Sequence, residues 1–166
     1  MSETSPLIIG AADPIRMTVD GLLRGPLKRE GFHLVDVEYL ATGPQGPTLT
    51  LYVDEEGGVT LDRCAVASRL SSAILDVEDP VPNAYRLEVS SPGLDRRIAC
   101  AEDIEASVGE MVQAKTARST GRRGVTGRLE RLEAGALVID ENGLPIRIDG
   151  RQIRTLNRIH DFGERP

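Results

Sequence analysis

The sequence predicts an α+β fold in two parts, a two-layer αββαβ domain followed by a small β-barrel. Two observations predict it. Over residues 13–89, apolar residues recur first at helical spacing, then twice at strand spacing, then helical, then strand. Beyond Pro92 and Gly93 the pattern changes to short alternating stretches separated by glycine-bearing turns. The domain boundary falls at that change, giving domains 1–92 and 93–166.

The first helix opens on Asp13, a good N-cap, with Pro14 at the first helical position and Ile15, Val19, Leu22 and Leu23 following. Gly21, Gly25 and Pro26 predict a kink or break before Leu27, and Gly31 a C-terminal stop. Residues 32–40 (FHLVDVEYL) and 48–54 (TLTLYVD) alternate with period two. They read as a hairpin with one wet face carrying Asp36 and Glu38. Thr60 caps a second helix with a small-residue face, Leu61, Ala65, Ser68 and Ser72, and an apolar edge, Val66, Leu70, Ala73 and Ile74. Pro80 and Pro82 end it, and residues 85–89 (YRLEV) supply the third strand. In the second domain, residues 102–107 make one or two helical turns. Strands are expected at 111–117, 125–132, 136–140, 145–148 and 153–156, with Asn142-Gly143 the clearest hairpin turn.

Net charge is −6, but it is unevenly placed. Residues 1–91 carry 14 acidic and 7 basic side chains, whereas 92–166 carry 12 and 13. Between Lys115 and Arg131 lie six basic residues, with Glu130 the one acidic residue among them. Of these, Arg118, Arg122, Arg123 and Arg128 are the candidate contacts to RNA phosphates; a plain solvated hairpin is the other reading. Aromatic residues make up 3% of the chain, which disfavours recognition by base stacking. Asp76, Glu78 and Asp79 follow a helix C-terminus, where negative charge is electrostatically misplaced. They are a candidate partner loop, or else a solvated proline-terminated loop.

Enzyme chemistry finds little footing. His33 and His160 are the two histidines, neither set beside a nucleophile by any recognisable spacing, and no glycine-rich phosphate loop is present. Cys64 and Cys100 lack metal-ligand spacing and read as reduced apolar fillers. No catalytic residue, metal or cofactor is expected. Met1–Gly10 has neither the charge nor the apolar length of a signal peptide, and no segment is long enough to span a bilayer, so a cytoplasmic location is expected.

Residues 32–40, 48–54, 57–76 (GGVTLDRCAVASRLSSAILD) and 77–96 (VEDPVPNAYRLEVSSPGLDR) together resemble the ribosome maturation factor RimP family. The most specific stretch is 87–96, LEVSSPGLDR. The resemblance is clear over residues 15–97 and architectural beyond them. It implies an Sm-like or SH3-like barrel in the second domain and a non-enzymatic role in maturation of the free small (30S) ribosomal subunit. It also implies 16S rRNA and ribosomal proteins as partners, the S-twelve protein among them, and a monomer. The competing reading is an Sm-like RNA chaperone acting outside the ribosome. Two departures stand out: Arg97 replaces the family's usual proline, and the ending TLNRIHDFGERP lacks its usual Lys-Ala step. Ser91, Pro92, Gly93, Asp95 and Arg96 are read as a stiff interdomain turn, because Pro92 fixes its own φ and disfavours a helical Ser91.

Overall fold

Asp13 starts the first helix, α1 (Pro14–Arg29), by accepting hydrogen bonds from the Ile15 and Arg16 amides. The structure, a computed structural model, describes residues 7–10, 13–92, 96–117 and 121–159. The described residues fall into two units, one holding Asp13–Pro92 and the other holding 7–10 with 96–159.

In the first unit α1 runs unbroken through Pro26, against the expected break. It ends where the Gly31 amide bonds to the Lys28 carbonyl and the Phe32 amide to the Leu27 carbonyl. Gly31 adopts φ +92°, so the helix closes in a Schellman motif. Strands β1 (His33–Leu40) and β2 (Thr48–Asp54) pair antiparallel. Helix α2 (Leu61–Glu78), capped by the Thr60 hydroxyl accepting from the Arg63 amide, then carries the chain to β3 (Arg86–Ser90). β3 lies parallel to β2, giving sheet order β1-β2-β3. α1 packs on β1 and on α2, and α2 packs on β3. Val19, Leu23 and Leu27 of α1 meet Leu34, Val37, Leu49, Leu51 and Val53 of the sheet in one core.

Two further expectations fail in this unit. The buried row of α2 is Ala67, Ser71 and Leu75, flanked by Val66, Leu70 and Ile74, while Leu61 is 88% exposed. Small residues on both sides of this helix left the choice of face to its packing against β3. Asp36 is not on the wet face but 1% exposed. A bulge between Leu34 and Asp36 breaks the two-residue alternation, and Asp36 meets Arg16 of α1 at 2.6 Å.

In the second unit β4 (Arg96–Arg97), helix α3 (Ala101–Ala106) and β5 (Met111–Thr116) precede β6 (Gly124–Glu133). β7 (Ala136–Glu141), β8 (Leu144–Asp149), a 3-10 turn (Gly150–Gln152) and β9 (Ile153–Arg158) follow. They make one six-stranded sheet in the order β4-β9-β5-β6-β7-β8. Ala134-Gly135 and Asn142-Gly143 all have positive φ, the geometry of two-residue type I′ turns, so both hairpins close tightly. β4 and β8 are the sheet's two ends and do not pair with each other, so the described strands form an open sheet rather than the closed barrel expected.

Leu7–Gly10 also joins this unit. The Ile8 and Ile9 amides donate to the Ala99 carbonyl and Gly10 to the Gly150 carbonyl, while Leu7 and Ile9 are fully buried. This role could not be read in advance, because a three-residue apolar run before the first helix has no period to read.

Candidate functional site

The candidate phosphate-contacting residues gather at the β5–β6 hairpin. The Thr116 hydroxyl donates to the Arg122 carbonyl and the Thr116 amide to the Arg123 carbonyl, which fixes the backbone where the two arginines leave it. Both arginines are exposed, and Lys115, opposite Gly124, projects from the neighbouring strand. Arg122 is bound by Glu141 at 2.8 Å. Arg123 and Lys115 have no side-chain partner among the described residues, so their charge is the uncompensated part of the hairpin. Arg128 sits further along β6, opposite Met111, where its guanidinium donates to the Gly109 carbonyl. Arg118 lies outside the described residues.

The basic run is therefore less cationic than its composition. Arg131 pairs with Glu130 and Glu133, and Arg147 with Glu133. Arg131's hydrogen bond and charge hold the Glu133 carboxyl below its ordinary value. Lys115, which belonged to the basic run but not to the four candidate arginines, was identifiable as an outward position of an alternating strand.

The acidic loop is differently made. α2 ends at Asp79, whose φ of 47° and ψ of 54° place it in the left-handed region, its amide donating to the Leu75 carbonyl. A non-glycine residue there is uncommon, aspartate and asparagine being the better tolerated. Asp76 and Asp79 line an open groove of about 460 Å³ with Ser72, Val81, Tyr85 and Leu87. Glu78 is exposed and does not line it. Burial, with the charges of Asp76 and Asp79 beside it, pushes the Tyr85 phenol above its ordinary value.

At the junction, Ser91 is exposed and its carbonyl accepts from the Ser90 hydroxyl at 3.1 Å. Arg96 opens β4 opposite Arg158. Gly93 and Asp95 lie outside the described residues, and with them the centre of the turn.

A buried ionic row in the first unit escaped sequence reading. Arg16, Asp20 and Arg24 recur every four residues along α1 and are all buried. Asp20 accepts twice from Arg24, at 2.9 and 2.5 Å, and Arg24 also donates to the Leu34 carbonyl at 2.7 Å. Burial raises the Asp20 carboxyl above its ordinary value despite the Arg24 guanidinium. Charges at this spacing ordinarily mark a solvated helix face.

Fold and surfaces together define a two-unit α+β protein, with an acidic groove on the first unit and a cationic hairpin on the second. Residues 22–95 match the family model described as the RimP N-terminal domain, from within α1 through the LEVSSPGLD stretch. Over this stretch, 74 of its 166 residues, the chain is similar to the RimP family. That likeness supports a link to ribosome maturation, through the matched domain. No helix among the described residues is long and apolar enough to cross a membrane.

Proposed function

We propose that this protein binds the free small ribosomal subunit in the cytoplasm, as a monomer, and promotes its maturation without catalysis. The observation that carries this reading is the RimP N-terminal domain match over residues 22–95, on a unit with the αββαβ order. The second unit is read as a variant of the Sm-like barrel. Its strands β5 to β9 lie in the order β9-β5-β6-β7-β8 with a 3-10 turn before the last, which supports that reading. Contact with 16S rRNA is assigned to the β5–β6 hairpin. Arg123 and Lys115 supply the free charge there, flanked by Arg122 and Arg128, and Arg118 is assigned with them from its place in the basic run of the sequence. Phosphates are the chemistry these side chains fit, since long cations on a hairpin tip position a backbone without reading bases. The loop of Asp76, Glu78 and Asp79 is assigned to a basic ribosomal protein, and residues 91–96 to the joint between the units.

Charge reversal tests the RNA assignment. Lys115→Glu with Arg123→Glu disturbs no internal ion pair of the described residues, unlike reversal of Arg122, which would set two carboxylates together at Glu141. The double variant is expected to bind purified small subunits about tenfold or more weakly. The slope of log affinity against log salt should fall by about 1–2, the loss of two phosphate contacts. Unchanged affinity and slope would remove this hairpin from the contact surface.

A further inference from the structure

β3 is an end strand of its sheet, and among the described residues nothing pairs with its outer side. The Arg86 amide donates to the Pro47 carbonyl, toward β2. In a parallel ladder a residue's amide and carbonyl point to the same side, so those of Arg86, Glu88 and Ser90 face β2. Those of Leu87 and Val89 therefore face the open edge. An open edge of this kind is a template for another strand unless the fold blocks it. Here no proline or bulge interrupts residues 86–90.

The groove described above lies beside the start of this strand. Its walls are the C-terminal half of α2, through Ser72 and Asp76, Tyr85 just before β3, and β3 itself through Leu87. The floor is partly apolar, with Val81 and Leu87, and the mouth carries two carboxylates. Neither the Asp76 nor the Asp79 carboxylate has a hydrogen-bond or ion-pair partner among the described residues. Burial first, and then the charges of Asp76 and Asp79, raise the Tyr85 phenol above its ordinary value. An apolar floor with an anionic mouth fits the methylene stem and charged head of lysine or arginine.

We propose that the β3 edge accepts an extended, lysine- or arginine-bearing polypeptide segment as an added strand, with its basic side chains lying in the groove beside Asp76 and Asp79. Backbone hydrogen bonds to Leu87 and Val89 hold the segment, and the groove takes alternate side chains, which selects for basic ones. RNA does not fit this place, since Asp76 and Asp79 would face its phosphates. The proposal gives a binding mode to the acidic loop; only the cellular origin of the segment rests on the ribosome-assembly reading.

The probe is an end-blocked, fluorescein-labelled octapeptide of alternating lysine and valine, added to the full chain. Anisotropy should show saturable binding that weakens with salt, and an octapeptide of alternating glutamate and valine should not bind. Asp76→Asn with Asp79→Asn should weaken the lysine peptide about tenfold, as expected for two partly exposed charge pairs. Asparagine tolerates the backbone of position 79. Asp76→Asn alone, on the helix surface, should give an intermediate loss. Amide hydrogen exchange at Leu87 and Val89 should slow at least tenfold when the peptide is bound. Absence of saturable binding, equal affinity in the asparagine variants, or unchanged exchange at both amides overturns the proposal. So does protection that rises with protein concentration without peptide, which would assign the edge to a second copy of the chain. The assay contains no ribosome. Failed peptide binding with intact small-subunit binding therefore refutes the strand-addition proposal alone, and the reverse outcome refutes the assembly reading alone.

Discussion

Replacing Arg16 by methionine is expected to destabilise the first unit by about 3–5 kcal/mol, the usual cost of removing one partner of a buried ion pair. The Arg16 and Asp36 side chains are 8% and 1% exposed and meet at 2.6 Å. Without the guanidinium, Asp36 must hold its charge away from water or take up a proton. The favourable part of the pair is smaller than this loss suggests, since much of the loss is the desolvation of the carboxylate left behind. The double variant Arg16→Met with Asp36→Asn should therefore recover more than half of it. Asparagine keeps a side-chain oxygen for the Val37 amide, which Asp36 accepts at 2.8 Å. The measurement has a convenient reporter. The chain has no tryptophan, and its three tyrosines, Tyr39, Tyr52 and Tyr85, all lie in the first unit. Denaturant titration followed by tyrosine fluorescence thus reads that unit. A loss below about 1 kcal/mol for Arg16→Met would show that the pair is not desolvated as described.

The second large effect belongs to the other unit. A Cβ on Gly127 would overlap the Asp140 carbonyl of the neighbouring strand and press on Ile139 at 3.1 Å. The obstacle is backbone within a hydrogen-bonded ladder, so rotamer changes cannot relieve it. The adjacent bulge between Leu129 and Arg131 already sets the approach of β6 to β7. Gly127→Ala is expected to cost about 3 kcal/mol, the upper end for an overpacked site. Far-UV circular dichroism should show part of the unfolding transition moving to lower denaturant, while the tyrosine transition stays in place. A wild-type circular dichroism profile would contradict the close approach of the two strands.

Much of the fold was legible because its signals are local. The N-cap at Asp13, the alternation of residues 48–54 and the Asn142-Gly143 turn each depend on a few neighbouring residues, and each formed as expected. What was not legible depends on distant partners. Asp36 alternates with apolar neighbours like any wet-face residue, and only the bulge and Arg16 make it a core residue. Pro26 is an ordinary breaker signal, overridden by the packing of Leu23 and Leu27 on both sides of it. β4 is two residues long and carries no pattern of its own. The same limit applies to function. The arginine run was visible as composition, but Glu141, Glu130 and Glu133 decide how much of its charge is free. The acidic loop was visible too, whereas the groove and open edge beside it required the third strand to be placed.

Association with the immature small subunit can be read from sedimentation of cell extract through a sucrose gradient. The protein should co-migrate with free small subunits and be absent from complete ribosomes, and raised salt should release it to the top of the gradient. Equal occupancy of complete ribosomes, or a position at the top at every salt concentration, would contradict the account.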